Sequence, residues 1–137
     1  MTNKTLPLFE SIAAVFGIAV VALLVALPST GTSKDESIEQ LLRGNLRQVQ
    51  TAVGKLVDSG ETMPGTSEEL EAILLQDYLT EIPPNPINKR ASIRINSAAF
   101  AEPRANGSAG WLYVPGEQRV VPDLPTRDHK GRPFLSY

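Results

Sequence analysis

Hydrophobic positions divide the chain into three regimes. From Leu6 to Leu27 the residues are almost continuously apolar over 22 positions, with Glu10 as the one charge. From Ser37 to Gly60, Ile38, Leu41, Leu42, Leu46, Val49, Val53 and Leu56 recur at i+3 and i+4. That spacing predicts an amphipathic helix with one buried stripe. Beyond Met63 the pattern shortens. Leu70, Ile73 and Leu74 give a brief helical face. Three short runs then read as strands: Ala91–Ile95, which alternates apolar and polar, Gly110–Val114 and Gln118–Val121.

Punctuation agrees with these elements. Ser33 followed by Glu36, and Thr66 followed by Glu69, have the spacing of capping boxes. Gly60 is a credible helix stop. Pro83, Pro84 and Pro86 place three prolines in four residues, which removes backbone donors and enforces extended geometry. The "PGE" of Pro115–Glu117 predicts a turn joining the last two runs into a hairpin. Trp111 and Tyr113 fall on one face of their strand and Leu112 on the other, so Trp111 is expected to seat the sheet on the long helix. The intervening "NSAAFAEPRANGSAG" reads as loop; its "NGS", like "NKT" at Asn3–Thr5, formally matches a glycosylation acceptor.

At about 1.5 Å of rise per residue, Leu6–Leu27 is long enough to cross a hydrocarbon core of about 30 Å. Lys4 and the amino terminus precede it, so the positive-inside rule places the N-terminus in the cytoplasm and the rest across the membrane. A cleaved signal peptide has a shorter apolar core and a small-residue cleavage site, so a retained anchor is expected. The "LPSTG" at Leu27–Gly31 matches a sortase pattern, but it follows the apolar segment, whereas a sorting signal precedes one; Pro28, Thr30 and Gly31 read as a helix break. The organisation expected is a leader at 1–5, a transmembrane helix at 6–28, a kink or linker at 29–36 and an α+β head at 37–137.

A carboxylate inside lipid costs about 2.5–3.5 kcal/mol at mid-membrane and less near the interface. Glu10 therefore calls for a partner. Its surroundings, "LPLFE", then "SIAAVFGIAVVALLVALP" with Pro28 placed 18 residues after the acid, resemble the type IV pilin and type II secretion pseudopilin superfamily. The order of amphipathic helix, short helix, "IPPNP" and "GWLYVP" is similar to the pseudopilin layout across nearly the whole chain. The resemblance implies a long N-terminal transmembrane helix continuing into the amphipathic helix, packed on a small antiparallel sheet. It implies that Glu10 pairs with the free amino terminus of a neighbouring subunit and sets filament register. Processing would fall between Thr5 and Leu6, where Thr5 stands in place of the family's Gly. It further implies a single-pass inner-membrane protein with a periplasmic head, partnered by other pseudopilins, the inner-membrane secretion platform and lipid. Ala13, Ala14, Gly17 and Ala22 would allow close helix approach in the filament. In G-type members C-terminal acids bind calcium, and Asp123 and Asp128 are the candidates here.

Composition narrows the chemistry. With no Cys, neither disulfides nor thiolate sites exist. Thirteen basic and 15 acidic residues form no basic face suited to nucleic acid. One His, His129, and no phosphate-loop, HExxH or G-x-S-x-G motif give no expectation of catalysis. His129 is expected in a solvated loop, and Glu68, Glu69 and Glu71 on a solvated first helical turn. The alternative from another class is a single-pass anchored binding or adaptor domain that works alone.

Overall fold

The computed structural model describes residues 33–96 and 102–137. These fall in one compact unit, Thr32–Tyr137, distinct from Met1–Gly31. Helix α1 spans Lys34–Asp58 and α2 spans Ser67–Asp77. Strands β1 (Ile93–Ile95), β2 (Trp111–Val114) and β3 (Arg119–Pro122) form one sheet in the order β1-β2-β3. The architecture is α+β, as expected. Among the described residues no helix is long and apolar enough to cross a membrane; the expected span at 6–28 lies outside them.

Both caps act as predicted. The Ser33 hydroxyl accepts from the Glu36 N–H and the Thr66 hydroxyl from the Glu69 N–H, each satisfying a donor that the first turn leaves orphaned. Helix α1 thus takes in Lys34–Glu36, positions assigned above to the linker. After Asp58 the chain leaves the helix through Gly60, whose φ of 75° favours a residue without Cβ. One face of α1 buries Leu42, Leu46, Val49, Ala52, Val53 and Leu56. Leu41, placed on that stripe by periodicity, is instead 55% exposed. It lies at the edge of the apolar arc, about 100° around the helix from the buried Leu42.

The core sits between α1 and one sheet face. Leu70 and Leu74 of α2, Ile82, Ile93, Trp111, Tyr113, Val120, Leu124 and Phe134 complete it. Leu112, Val114 and Val121 occupy the opposite face with Leu135 against them. The alternation read from β2 therefore holds, and Trp111 is completely buried.

The expected antiparallel sheet is corrected to a mixed one. β2 and β3 are antiparallel, with Trp111 opposite Pro122, but β1 runs parallel to β2, with Ile93 opposite Trp111. Fifteen residues separate Ile95 from Trp111, enough for the crossover that parallel pairing requires. The β2–β3 hairpin turns through a 3-10 helix at Pro115–Glu117 and left-handed Gln118.

Side chains of the helices finish the sheet edges. On β1, the outward N–H of Ile93 donates to Glu71 Oε1 at 2.7 Å and that of Ile95 to Ser67 Oγ at 3.3 Å. The open donors of an edge strand are thereby covered by α2. Glu71 is therefore a structural acceptor and not simply part of a solvated face. Gln50 Nε2 of α1 donates to the Val120 carbonyl of β3 at 2.9 Å.

The proline segment runs between α1 and the sheet. Its carbonyls receive the Trp111 indole N–H at Pro83, 2.8 Å, and the Asn45 amide at Pro84, 2.7 Å. Asn85 is fully buried and donates its side-chain amide to the Gly110 carbonyl. A Cβ on Gly110 would lie 2.2 Å from the Arg90 carbonyl oxygen. Gly110→Ala is accordingly expected to lower unfolding free energy by about 1–3 kcal/mol, through forced separation of two backbones. Urea denaturation followed by Trp111 fluorescence checks this; an unchanged midpoint contradicts the close approach.

Candidate functional site

Two acids near the C-terminal end of the chain organise its polar structure. Asp123 follows β3 directly and its side chain is entirely buried. Oδ1 accepts from Arg94 Nη2 at 2.9 Å and the Asn106 N–H at 2.8 Å; Oδ2 accepts from Arg94 Nε at 3.2 Å and the Ala109 N–H at 3.0 Å. Arg94 is on β1, and its Nη2 also donates to the Arg104 carbonyl at 2.7 Å. One carboxylate thus ties β1, β3 and the loop before β2 together. Burial alone would raise the Asp123 pKa, but donation from Arg94, Asn106 and Ala109 outweighs it and holds the carboxyl below its ordinary value.

Asp128 organises the final loop. Its Oδ1 accepts the N–H groups of Lys130 and Arg132, both at 2.8 Å, and its Oδ2 accepts Arg132 Nε at 2.7 Å and the Tyr137 hydroxyl at 2.9 Å. Here too burial opposes ionisation, and the four donors overcome it, holding the carboxyl far below the usual range. Gly131, at φ 78°, closes the turn that brings these amides to one oxygen.

A third node clamps this loop to the first turns of α1. Glu39 Oε1 accepts the His129 N–H at 3.0 Å and lies 2.7 Å from His129 Nδ1. Burial would raise the Glu39 carboxyl, yet the His129 contacts leave it lowered. The Tyr137 ring packs edge-on to Phe134 with centroids 5.2 Å apart, and the Arg43 guanidinium stacks 4.0 Å above it. His129, expected to be solvated, is therefore a strap residue. Glu39, Arg43, Arg94 and Tyr137 were not singled out by sequence. A charged residue at a core-facing position of α1, as Glu39 is, was the available signal.

The calcium expectation at Asp123 and Asp128 does not fit this geometry. A carboxylate offers about four lone-pair sites. Each of these two already accepts four hydrogen bonds, including a guanidinium that stands where a cation would. Among the described residues no three metal-ligating side chains converge. The other sequence candidates, Glu10, Thr5, Leu6, Ala13, Ala14, Gly17 and Ala22, lie outside the described residues.

The arrangement is a set of staples joining sheet, loop and helix. No family model matches the chain, and neither a curated protein nor a solved structure matches it.

Two outcomes follow from the staples. Asp123→Ala, which takes the carboxylate from the Arg94 guanidinium and leaves the Asn106 and Ala109 N–H groups without their acceptor, is expected to destabilise the unit by about 3–5 kcal/mol in urea melts. The native carboxyls of Glu39, Asp123 and Asp128 titrate below their unfolded values. Their contribution is therefore complete above the unfolded pKa values, about 4, and is lost as pH falls through the lower folded ones. Stability should hold from neutrality to about pH 5 and then decline. Melting temperatures across that range check the sign; a rise on acidification would contradict it.

Proposed function

We propose that the chain is a structural subunit of a short membrane-rooted filament of the type II secretion pseudopilus or type IV pilus kind. In this reading Leu6–Leu27 holds the subunit in the inner membrane and packs against its neighbours during assembly. The head projects on the far side, and the filament acts as a secretion piston or pilus component driven by an ATPase elsewhere in the machine.

The observation that carries the proposal is Glu10, the one charge in an otherwise apolar stretch of 22 residues. Lipid penalises a lone carboxylate, and an amine from a neighbouring copy removes that penalty, so insertion favours assembly. The head is consistent with such a role. Its polar network spends its charges on internal staples, and its long helix begins immediately after the Ser33 cap. Removal of the leader between Thr5 and Leu6 would supply the amine; without it, Lys4 of a neighbour is the available cation.

Glu10→Val in the full-length chain provides the test. Copies should remain membrane-inserted yet lose native-gel multimers and secretion support, by tenfold or more. Retention of both functions would overturn the register role and favour an anchored adaptor that acts alone. The intact mass of the membrane-extracted protein supplies a second readout: loss of the first five residues agrees with processing at Thr5–Leu6.

A further inference from the structure

Asn106, Gly107 and Ser108 stand in the loop before β2. Asn106 is exposed, and its backbone N–H donates to Asp123 Oδ1 at 2.8 Å. Its side-chain Oδ1 accepts the Ser108 N–H at 2.9 Å, in a turn that Gly107 completes at a φ of 74°. The carboxamide is thereby folded back beside the Gly107 backbone, and the Ser108 donor draws electron density from its carbonyl carbon.

Four asparagines, Asn45, Asn85, Asn88 and Asn106, fall with their following residues inside the described parts of the chain. Leu46, after Asn45, has its N–H in the hydrogen-bond ladder of α1. Pro86, after Asn85, has no N–H. Lys89, after Asn88, donates its N–H to the Asn85 carbonyl at 2.8 Å. The carboxamide nitrogens of these three are tied as well, donating to the carbonyls of Pro84, Gly110 and Ala109. Asn106 differs on both counts. Among the described residues neither its carboxamide nitrogen nor the Gly107 N–H donates a hydrogen bond. Gly107 also has no side chain to obstruct approach to its nitrogen.

We propose that Asn106 is a deamidation site whose product loosens the Asp123 staple as the protein ages. Base removes the Gly107 N–H proton, and the nitrogen attacks Asn106 Cγ. The bond from Cγ to the carboxamide nitrogen breaks, and ammonia leaves after taking up a proton. The product is a five-membered succinimide, which water then opens. Opening at Cγ gives aspartate; opening at the backbone carbonyl gives isoaspartate, with the chain running through the former side chain. One water enters and one ammonia leaves, with no change of oxidation state. Isoaspartate adds one methylene to the backbone between positions 106 and 107. The Asn106 and Ala109 N–H groups converge on the two oxygens of Asp123, and the added atom disturbs that match. The same carboxylate holds Arg94 of β1, so a change in an exposed loop reaches the sheet.

Ageing the full-length protein at mildly alkaline pH, folded and in urea, followed by peptide mass mapping, tests the assignment. In the folded chain Asn106 should convert at least tenfold faster than Asn45, Asn85 or Asn88, at a rate that rises with hydroxide and stays within about threefold of its rate in urea. An isoaspartyl-specific carboxyl methyltransferase should label the peptide containing position 106. The aged chain should unfold at a lower urea concentration than the fresh one. Asn106→Ser keeps an oxygen acceptor for the Ser108 N–H and has no amide to lose; Asn106→Gln would have to close a larger ring. Both variants should hold their midpoints through the same ageing. Conversion of Asn106 no faster than at the other three sites, or more than tenfold slower folded than in urea, overturns the modification site. Conversion that leaves the urea midpoint unmoved overturns its link to Asp123.

Discussion

A donor-poor strip of backbone, Ile82–Pro86, sets the separation between helix and sheet. Prolines cannot donate, so the segment cannot join a strand ladder and contributes mainly acceptors. Those acceptors are met from both sides: Asn45 from α1 and the Trp111 indole from β2. Asn85 closes the arrangement from within, since a buried amide without partners would cost about 1–3 kcal/mol. Its side chain bonds the Gly110 carbonyl and its backbone N–H the Arg90 carbonyl. Because Gly110 carries no Cβ, the two backbones meet closely enough for β2 to lie beside β1.

Polar staples take over where the apolar core thins. The sheet has only three strands of three or four residues, too little surface to hold a long C-terminal segment by burial alone. Asp123 and Asp128 each gather four donors, and the second does so within a loop that ends against Glu39 and Arg43 of α1. Charged groups used in this way demand complete satisfaction, because a partly paired buried carboxylate destabilises more than it organises. That completeness also accounts for the poor fit of these acids to a cation.

Two structural solutions protect this small sheet from unwanted pairing. Glu71 and Ser67 occupy the outward donors of β1, and Pro122 removes one from β3. Association through extended backbone is thereby discouraged.

Local features were legible in the sequence because they depend on neighbours a few residues away. Periodicity located α1, α2 and three strands; Ser33, Thr66 and Gly60 marked their ends; alternation placed Trp111 and Tyr113 on the core side. The apolar stretch around Glu10 is likewise a property of sequence alone. Tertiary structure decided the rest. Parallel pairing of β1 with β2 depends on the course of a fifteen-residue connection, and nothing in the strand patterns specifies direction. Leu41 is exposed because it stands about 100° around the helix from Leu42, off the stripe that Leu42, Leu46, Val49, Val53 and Leu56 bury. Glu39 and His129 meet across ninety residues, and Arg94 and Asp123 across twenty-nine, so their partnership becomes visible only when the chain has closed on itself. Spacing along a helix or strand is written in the chain, but the choice of partner for a charge belongs to the folded whole, where distance and desolvation determine which pairs survive.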